Sequence, residues 1–211
     1  IIMDGNGRWA ESRGKTRING HKSSVKRVKA LVQETYKRGV KTLSLFAFST
    51  ENWSRPKLEV SSLMMLCQKS ITEEIDELHE RNIKVKFVGD LSLLPRKLQK
   101  EINKAHELTG SNDGMLLQIC LNYGGRWDIL EATKAIINKV QSGSLDIQDV
   151  NQDVLSENML GLGGDVDLLI RTSGESRISN FMLWQTAYSE LYFTPVCFPD
   201  FDENEIGKAF E

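Results

Sequence analysis

The chain has 211 residues, 40% hydrophobic and 27% charged, with a formal net charge of −2. That is enough apolar material for the core of one domain, or one domain with a lid, and it excludes a disordered or fibrous chain. No apolar run approaches the roughly 20 residues that span a bilayer, no secretory leader is visible, and Cys67, Cys120 and Cys197 are too scattered for a disulfide framework or a zinc site.

Charge is unevenly spread. Residues 1–41 hold eleven Lys/Arg against three acids, a net +8, which leaves −10 for the remainder. A basic N-terminal stretch implies an anionic partner: phosphate, nucleic acid or a membrane surface. The lysines within it are also compatible with a solvated helix face.

The chain opens on Ile1-Ile2-Met3, which reads as the end of a buried strand with residues missing before it. Asp4-Gly5-Asn6-Gly7-Arg8-Trp9 follows directly. Its glycines permit positive φ and close backbone approach to a ligand. Arg8 offers a fork of donors to phosphate oxygens. An aspartate beside a phosphate cradle asks for a cation between the two anions, and Mg²⁺ binds through one or two carboxylates plus substrate phosphates. Gly5-x-Gly7-x-x-Ala10 also fits a relaxed dinucleotide fingerprint. The acidic residue expected about 20 positions later is absent, because that region runs from Lys22 to Lys29.

A helical pattern over 21–38 begins near Arg17 and His21, which are four apart and able to share a face. A strand over 42–48 ends in Ser49-Thr50-Glu51-Asn52-Trp53-Ser54-Arg55-Pro56, a loop rich in hydroxyl, amide, carboxylate and cation. The amphipathic pattern over 58–81 presents Leu63, Met64, Leu66, Cys67, Ile71, Ile75 and Leu78, either as core or as the wall of an apolar cleft. Strands over 83–88, 115–121, 166–170 and 191–194 alternate with helical patterns over 95–109, 126–141 and 151–159, and with a last one from 203. His79 and His106 read as exposed helix residues, and the glycine-rich 161–164 as a plain loop.

Strands alternating with helices of this length predict an α/β fold. The sheet is mostly parallel, with about six strands flanked by helices, in a single domain over 1–211. Ligands in such sheets bind beyond the carboxyl ends of the strands. Three clusters fall there: 4–9, 49–56 and Arg171-Thr172-Ser173-Gly174-Glu175-Ser176-Arg177-Ile178-Ser179-Asn180. Two arginines, hydroxyls and a glycine at a strand end suit a diphosphate.

Taken together, Met-Asp-Gly-Asn-Gly-Arg-Trp (3–9), Arg17 with Gly20-His21, Phe-Ser-x-Glu-Asn-Trp-x-Arg-Pro (48–56), Asn-Tyr-Gly-Gly-Arg-Trp-Asp (122–128), Arg-Thr-Ser-Gly-Glu-x-Arg-Ile-Ser-Asn-Phe (171–181) and Glu-Leu-Tyr-Phe (190–193) resemble the cis-prenyltransferase family. The resemblance covers nearly the whole chain. It implies Mg²⁺-dependent condensation of isopentenyl diphosphate onto an allylic diphosphate such as farnesyl diphosphate, giving a long cis-polyprenyl diphosphate. It further implies Asp4 and Asn52 as catalytic residues, and Asp4 with Glu190 as metal ligands. Gly5, Asn6, Gly7, Arg8, Trp9, Arg17 and His21 are implied for the allylic diphosphate. Arg171, Arg177, Ile178 and Ser179 are implied for isopentenyl diphosphate. Ser49, Thr50, Glu51, Trp53 and Arg55 are implied on a closing loop. A cytoplasmic homodimer with peripheral membrane contact and no nucleic-acid partner is also implied. Ser176 stands where many members carry histidine. The competing reading on the same fold is a non-catalytic partner subunit.

Overall fold

The computed structural model describes residues 1–160 and 164–211. In chain order the elements are α1 (Asn6–Glu11), α2 (Arg17–Lys37), β1 (Thr42–Ser49), a 3₁₀ turn at Thr50–Ser54, α3 (Lys57–Glu80), β2 (Lys84–Val88), α4 (Arg96–Thr109), β3 (Leu116–Tyr123), α5 (Gly125–Gln141), α6 (Gln152–Asn158), β4 (Leu168–Arg171), β5 (Glu190–Phe193) and α7 (Glu203–Ala209). Except for Gly164, the glycine-rich loop read at 161–164 lies outside the described residues.

All described strand pairs are parallel. They form a three-stranded ladder in the order β1-β3-β2 and a two-stranded ladder β4-β5. The expectation of about six strands is therefore corrected. The run at 1–3 forms no ladder of its own, and only Ile2 is in register, bridging Phe46 of β1 on one side and Arg171 of β4 on the other. The reason is local. The chain turns away at Gly5, whose φ is +95°, so the extended stretch ends after one bridging residue. That residue nonetheless joins the two ladders, with Ile2 N–H donating to the Ile170 carbonyl at 2.8 Å and Phe46 N–H donating to the Ile1 carbonyl at 3.0 Å.

Helices cover the sheet as the alternating pattern requires. Leu31 and Val32 of α2 pack with Leu43 and Leu45 of β1, Leu117 of β3 and Ile206 of α7. Val60, Met64 and Ile71 of α3 pack with Leu98 and Ile102 of α4, Val85 and Phe87 of β2, and Phe48. Leu45 and Phe48 differ by an odd number of residues, yet both face helices. The register shift between Phe46 and Phe48 is a bulge at Ala47 that re-aims the end of β1. Opposite, Phe46 stacks on Phe181 with ring centroids 4.4 Å apart.

Two buried polar contacts fix the frame. The Asp128 carboxylate, fully buried, accepts from the Tyr123 hydroxyl at 2.8 Å, the Leu160 N–H at 2.8 Å and the Gln185 amide at 3.2 Å. These satisfy a charge that would otherwise be costly to bury. His79 and His106 are not the exposed residues expected. Both are half-buried, and His106 Nε2 accepts the Phe87 N–H of edge strand β2 at 3.0 Å. Burial, then nearby Lys86, pushes the His106 pKa down, which keeps that acceptor neutral.

Candidate active site at the strand ends

Asp4 leaves the sheet between β1 and β4, at the carboxyl ends of both. Its backbone N–H donates to the Thr172 hydroxyl at 2.9 Å, and that hydroxyl donates on to the Asp4 carbonyl at 2.8 Å. One carboxylate oxygen accepts the Gly5 N–H at 2.7 Å and the other accepts from Arg171 at 2.9 Å. Burial raises the Asp4 pKa, but the hydrogen bonds from Arg171 and Gly5, with the charges of Arg171 and Arg8, outweigh it and hold the carboxyl below its ordinary value. Gly5 must be glycine on two counts. Its φ is positive, and a Cβ would lie 2.6 Å from the Ser173 Cβ.

The glycine pair acts differently from the loop the sequence suggested. Residues 6–11 are helical, so Gly7 sits inside α1. A Cβ there would fall 2.6 Å from the Arg17 Cζ. Gly7 therefore leaves room for the Arg17 guanidinium to lie against α1. Arg8 reaches the Ser173 hydroxyl at 2.5 Å, Glu175 at 3.4 Å and Asp4 at 3.8 Å.

Arg171 is only 4% exposed. Besides Asp4, its guanidinium donates to the Ser179 hydroxyl at 2.6 Å and to the Arg177 carbonyl. The segment that follows is wound tightly, with positive φ at Ser173, Ser179, Asn180 and Met182. Such conformations cost of order 1–3 kcal/mol each and persist where the surroundings over-determine them. Here Arg171 clamps the segment from inside, and Asn180 accepts the Arg126 N–H at 2.9 Å.

The loop after β1 closes on the same space. The Asn52 side-chain oxygen accepts the Ser49 N–H at 3.2 Å within a reciprocal cap, which leaves the Asn52 amide N–H group as the free donor. Glu51 accepts from Asn180 at 3.0 Å, tying the loop to the segment after β4. Trp53 donates to the Asn122 side chain at 2.8 Å and meets Phe48 edge-on.

Glu59, at the start of α3, was not singled out from the sequence. Its carboxylate lies 3.2 Å from Arg55, 3.7 Å from Arg17 and 4.0 Å from His21. An acid one turn after a loop arginine was the available signal, but the long-range contacts to α2 were not legible. His21 is well buried. Burial, then the Arg55 charge, lowers its pKa to about 4 despite Glu59, so its imidazole is neutral at physiological pH.

These groups stand at the head of one cavity of about 690 Å³, within the roughly 300–1,000 Å³ usual for ligand pockets. Asp4, Gly5, Asn6, Gly7, Arg17, His21, Ser49, Glu51, Asn52, Arg55, Arg171 and Ser179 line its polar part. Its other walls are mostly apolar, with Val25, Val28 and Val32 from α2, Leu63, Leu66, Cys67 and Ile75 from α3, and Leu117, Ile119 and Leu121 from β3, interrupted by Ser24, Ser70 and Glu74. The cleft reading of the 58–81 pattern thus holds for one face of α3, on which Met64 and Ile71 belong to both the cavity wall and the core, while Val60 is core only. Burial pushes the Cys67 pKa up to about 12, so it is an apolar wall residue. A cavity polar at one end and apolar along its length fits an amphiphile with an anionic head. Asn6 Oδ1, His21 Nε2 and Arg171 Nε are buried and without a protein partner, and such polar groups call for a ligand.

Several expected residues lie outside the cavity lining. Arg177 is exposed and pairs with Glu175, Ile178 packs against the Phe181 cluster, and Thr50 lies beside Gly124. The Trp9 indole donates to Asp200 at 2.7 Å and lies under Arg13, which anchors α1 to the segment before α7. Glu190 is exposed and begins β5, paired with Leu168, whereas Arg171 pairs with Phe193. Three residues along a strand separate the two ends by about 10 Å. Within one chain Glu190 is thus at the wrong end of the strands to share a metal with Asp4. Among the described residues, no three or more His, Cys, Asp and Glu side chains gather to hold a metal. Asp4 alone fits a hard cation, as one oxygen donor whose companions would be phosphate oxygens and water.

Residues 2–211 match the family described as "Putative undecaprenyl diphosphate synthase". The chain is 51% identical over 210 residues to the ditrans,polycis-undecaprenyl-diphosphate synthase ((2E,6E)-farnesyl-diphosphate specific) of Vibrio cholerae, covering 99% of this chain and 84% of that protein. It is 48% identical to the isoprenyl transferase of Clostridium perfringens, covering 99% of this chain and 83% of that one. Among solved structures it resembles lavandulyl diphosphate synthase from Lavandula x intermedia in complex with dimethylallyl diphosphate. That likeness has a TM-score of 0.95 at 38% identity, over 99% of this chain and 91% of the other.

Proposed function

Since the chain belongs to the undecaprenyl diphosphate synthase family of prenyltransferases, we propose that it condenses isopentenyl diphosphate repeatedly onto farnesyl diphosphate to make a long cis-polyprenyl diphosphate. The observation that carries this reading is the single cavity, with phosphate-type donors at the strand ends and an apolar length between α2, α3 and the sheet.

The farnesyl diphosphate head takes the turn at Gly5–Arg8, with Arg17 and neutral His21 beside it. Backbone N–H groups and guanidinium forks suit its oxygens. The farnesyl chain lies along Val25, Val28, Leu63 and Leu66. Isopentenyl diphosphate takes the segment after β4, held by Arg171 and Ser179, with Arg177 swinging in from the surface. Arg171 contacts both Asp4 and Ser179, so one guanidinium borders both heads.

The alkene of isopentenyl diphosphate attacks the allylic C1, the C1–O bond breaks, and the diphosphate leaves with its electrons. Mg²⁺ held by Asp4 would supply charge stabilisation for that leaving group. The chain's own share is electrostatic, since Arg8, Arg17 and the α1 backbone meet charge as it develops. A proton is then lost from the isopentenyl unit. Asn52 is not its base, because its side-chain oxygen is already engaged by Ser49. Its amide N–H group donates instead, orienting a diphosphate oxygen that accepts the proton.

None of the described helices is long and apolar enough to cross a membrane. A homodimer is part of the proposal. Leu130 and Ile137 on α5, with Tyr188 and Leu191 at edge strand β5, are exposed apolar residues a second copy would cover. Chromatography of the products formed from farnesyl and isopentenyl diphosphates tests the reading. A ladder of long-chain products supports it, and unreacted farnesyl diphosphate would sink it.

A further inference from the structure

We propose that the outward face of α2 docks on the anionic headgroups of a lipid bilayer. This rests on the function above only in explaining why a lipid surface is useful: a long polyprenyl product has to leave into lipid. The surface itself is read from α2. Lys22, Lys26, Lys29, Gln33 and Lys37 recur at intervals of three and four residues, which places them on one side of the helix. Lys15 continues the stripe ahead of the first turn. The four helical lysines and Lys15 are exposed. From Lys22 to Lys37 the stripe is about 22 Å long at 1.5 Å per residue.

The flank of the same helix through Val25, Val28 and Val32, about 100° round from the stripe, walls the apolar cavity. The stripe therefore borders the side of α2 that faces the lipid product. Lys29 is engaged across the seam with α3, 2.9 Å from Glu74 and 2.5 Å from Glu77. Lys15, Lys22, Lys26 and Lys37 have no acidic partner within ion-pair distance among the described residues. Lys15, Lys22, Lys26 and Arg27 also line a shallow surface groove bounded by Pro199, and there only Arg27 is paired, with Glu203 at 3.6 Å. Glu34, the one acid on α2, is taken by Arg38 at 2.9 Å. A basic helical face on which Lys15, Lys22, Lys26 and Lys37 are left unpaired among the described residues is the charge complement of an anionic leaflet.

The experiment is vesicle co-sedimentation of the intact protein. Wild type is expected to bind phosphatidylcholine vesicles containing phosphatidylglycerol at low salt, to dissociate at high salt, and to ignore pure phosphatidylcholine. The combined variant Lys22→Gln, Lys26→Gln and Lys37→Gln should lose about 100-fold in partitioning, at roughly fivefold per lysine. Prenyl transfer assayed in detergent should stay unchanged in this variant. A control removing the same charge elsewhere, Lys84→Gln, Lys97→Gln and Lys100→Gln, should bind like wild type. Equal loss in both variants, or equal wild-type binding to neutral vesicles, overturns the proposal. Binding of a short RNA through the same lysines without vesicle binding would also overturn it, and would reassign the stripe. Detergent activity reports on the reaction separately, so loss of one reading leaves the other standing.

Discussion

The Arg171 guanidinium and the Asp4 carboxylate meet at 2.9 Å across 167 positions of sequence, tying the turn after Met3 to the end of β4. A buried arginine and a part-buried aspartate together border both proposed diphosphate heads, so substitutions on either side of this contact should be separable by substrate.

Arg171→Lys removes the fork that reaches Asp4, Ser179 and the Arg177 carbonyl at once. One ammonium cannot span the three acceptors. The expected outcome is a fall of about 10²-fold in kcat/KM for isopentenyl diphosphate, of the order seen when one preorganised donor is removed. The KM for farnesyl diphosphate should change far less. Steady-state kinetics with each substrate varied in turn checks this, and an equal effect on both would refute the two-site assignment.

Gly7→Ala offers a cleaner separation of fold from site. Alanine is favoured over glycine in a helix by up to about 1 kcal/mol, so α1 should not weaken. The added Cβ would fall 2.6 Å from the Arg17 Cζ and push the guanidinium aside. The melting temperature should hold while the KM for farnesyl diphosphate rises about tenfold. A lower melting temperature with unchanged KM would show that Gly7 is a packing residue only.

Glu59→Gln keeps the shape and removes the charge that gathers Arg17, Arg55 and His21. The two arginines lose their preorganisation, worth about 1–2 kcal/mol of ordering. The KM for farnesyl diphosphate is expected to rise about five- to thirtyfold with kcat nearly constant. Glu59→Asp should recover part of the loss. A matching drop in kcat would place Glu59 in the chemical step instead.

Acid should destabilise the fold partly through His21. Its folded pKa, about 4, lies below the ordinary 6.5, so the unfolded chain binds its proton first. The stability from keeping this imidazole neutral is complete above pH 6.5 and is lost progressively as pH falls toward 4. At about 1.4 kcal/mol per pH unit the full effect is on the order of 3 kcal/mol. His106, also shifted down, adds in the same direction. Urea unfolding of wild type and His21→Gln at pH 7 and pH 4.5 measures it, and parallel loss in both proteins would remove His21 from the account.

Much of the fold was legible because strand and helix periods alternate cleanly, and five of the expected strands lie within two residues of where they were read. The run at 1–3 is seen through Ile2 alone, which bridges β1 and β4 on its two sides before the positive φ of Gly5 turns the chain out of the sheet. Helix α1 was missed because Gly5 at its N-cap and Gly7 inside it argue for a loop. The strand-end rule led to Asp4, Asn52 and Arg171, which line one cavity, while Trp9, Thr50, Arg177 and Ile178 from the same clusters lie outside its lining. The metal role of Glu190 came from the resemblance alone, and Glu190 stands at the amino end of β5, away from Asp4. Glu59 was passed over because its contacts to Arg17 and His21 on α2 are far off in sequence, and the buried frame role of Asp128 was not legible because Leu160 and Gln185 are likewise distant.

The most direct test of the central claim is Mg²⁺-dependent incorporation of labelled isopentenyl diphosphate into a long-chain product, compared between wild type and Asp4→Ala. The account predicts product only from wild type with Mg²⁺ present, and a loss of at least about 10³-fold in the variant while its circular dichroism stays that of the folded protein. Incorporation at the wild-type rate by a folded Asp4→Ala protein would contradict it.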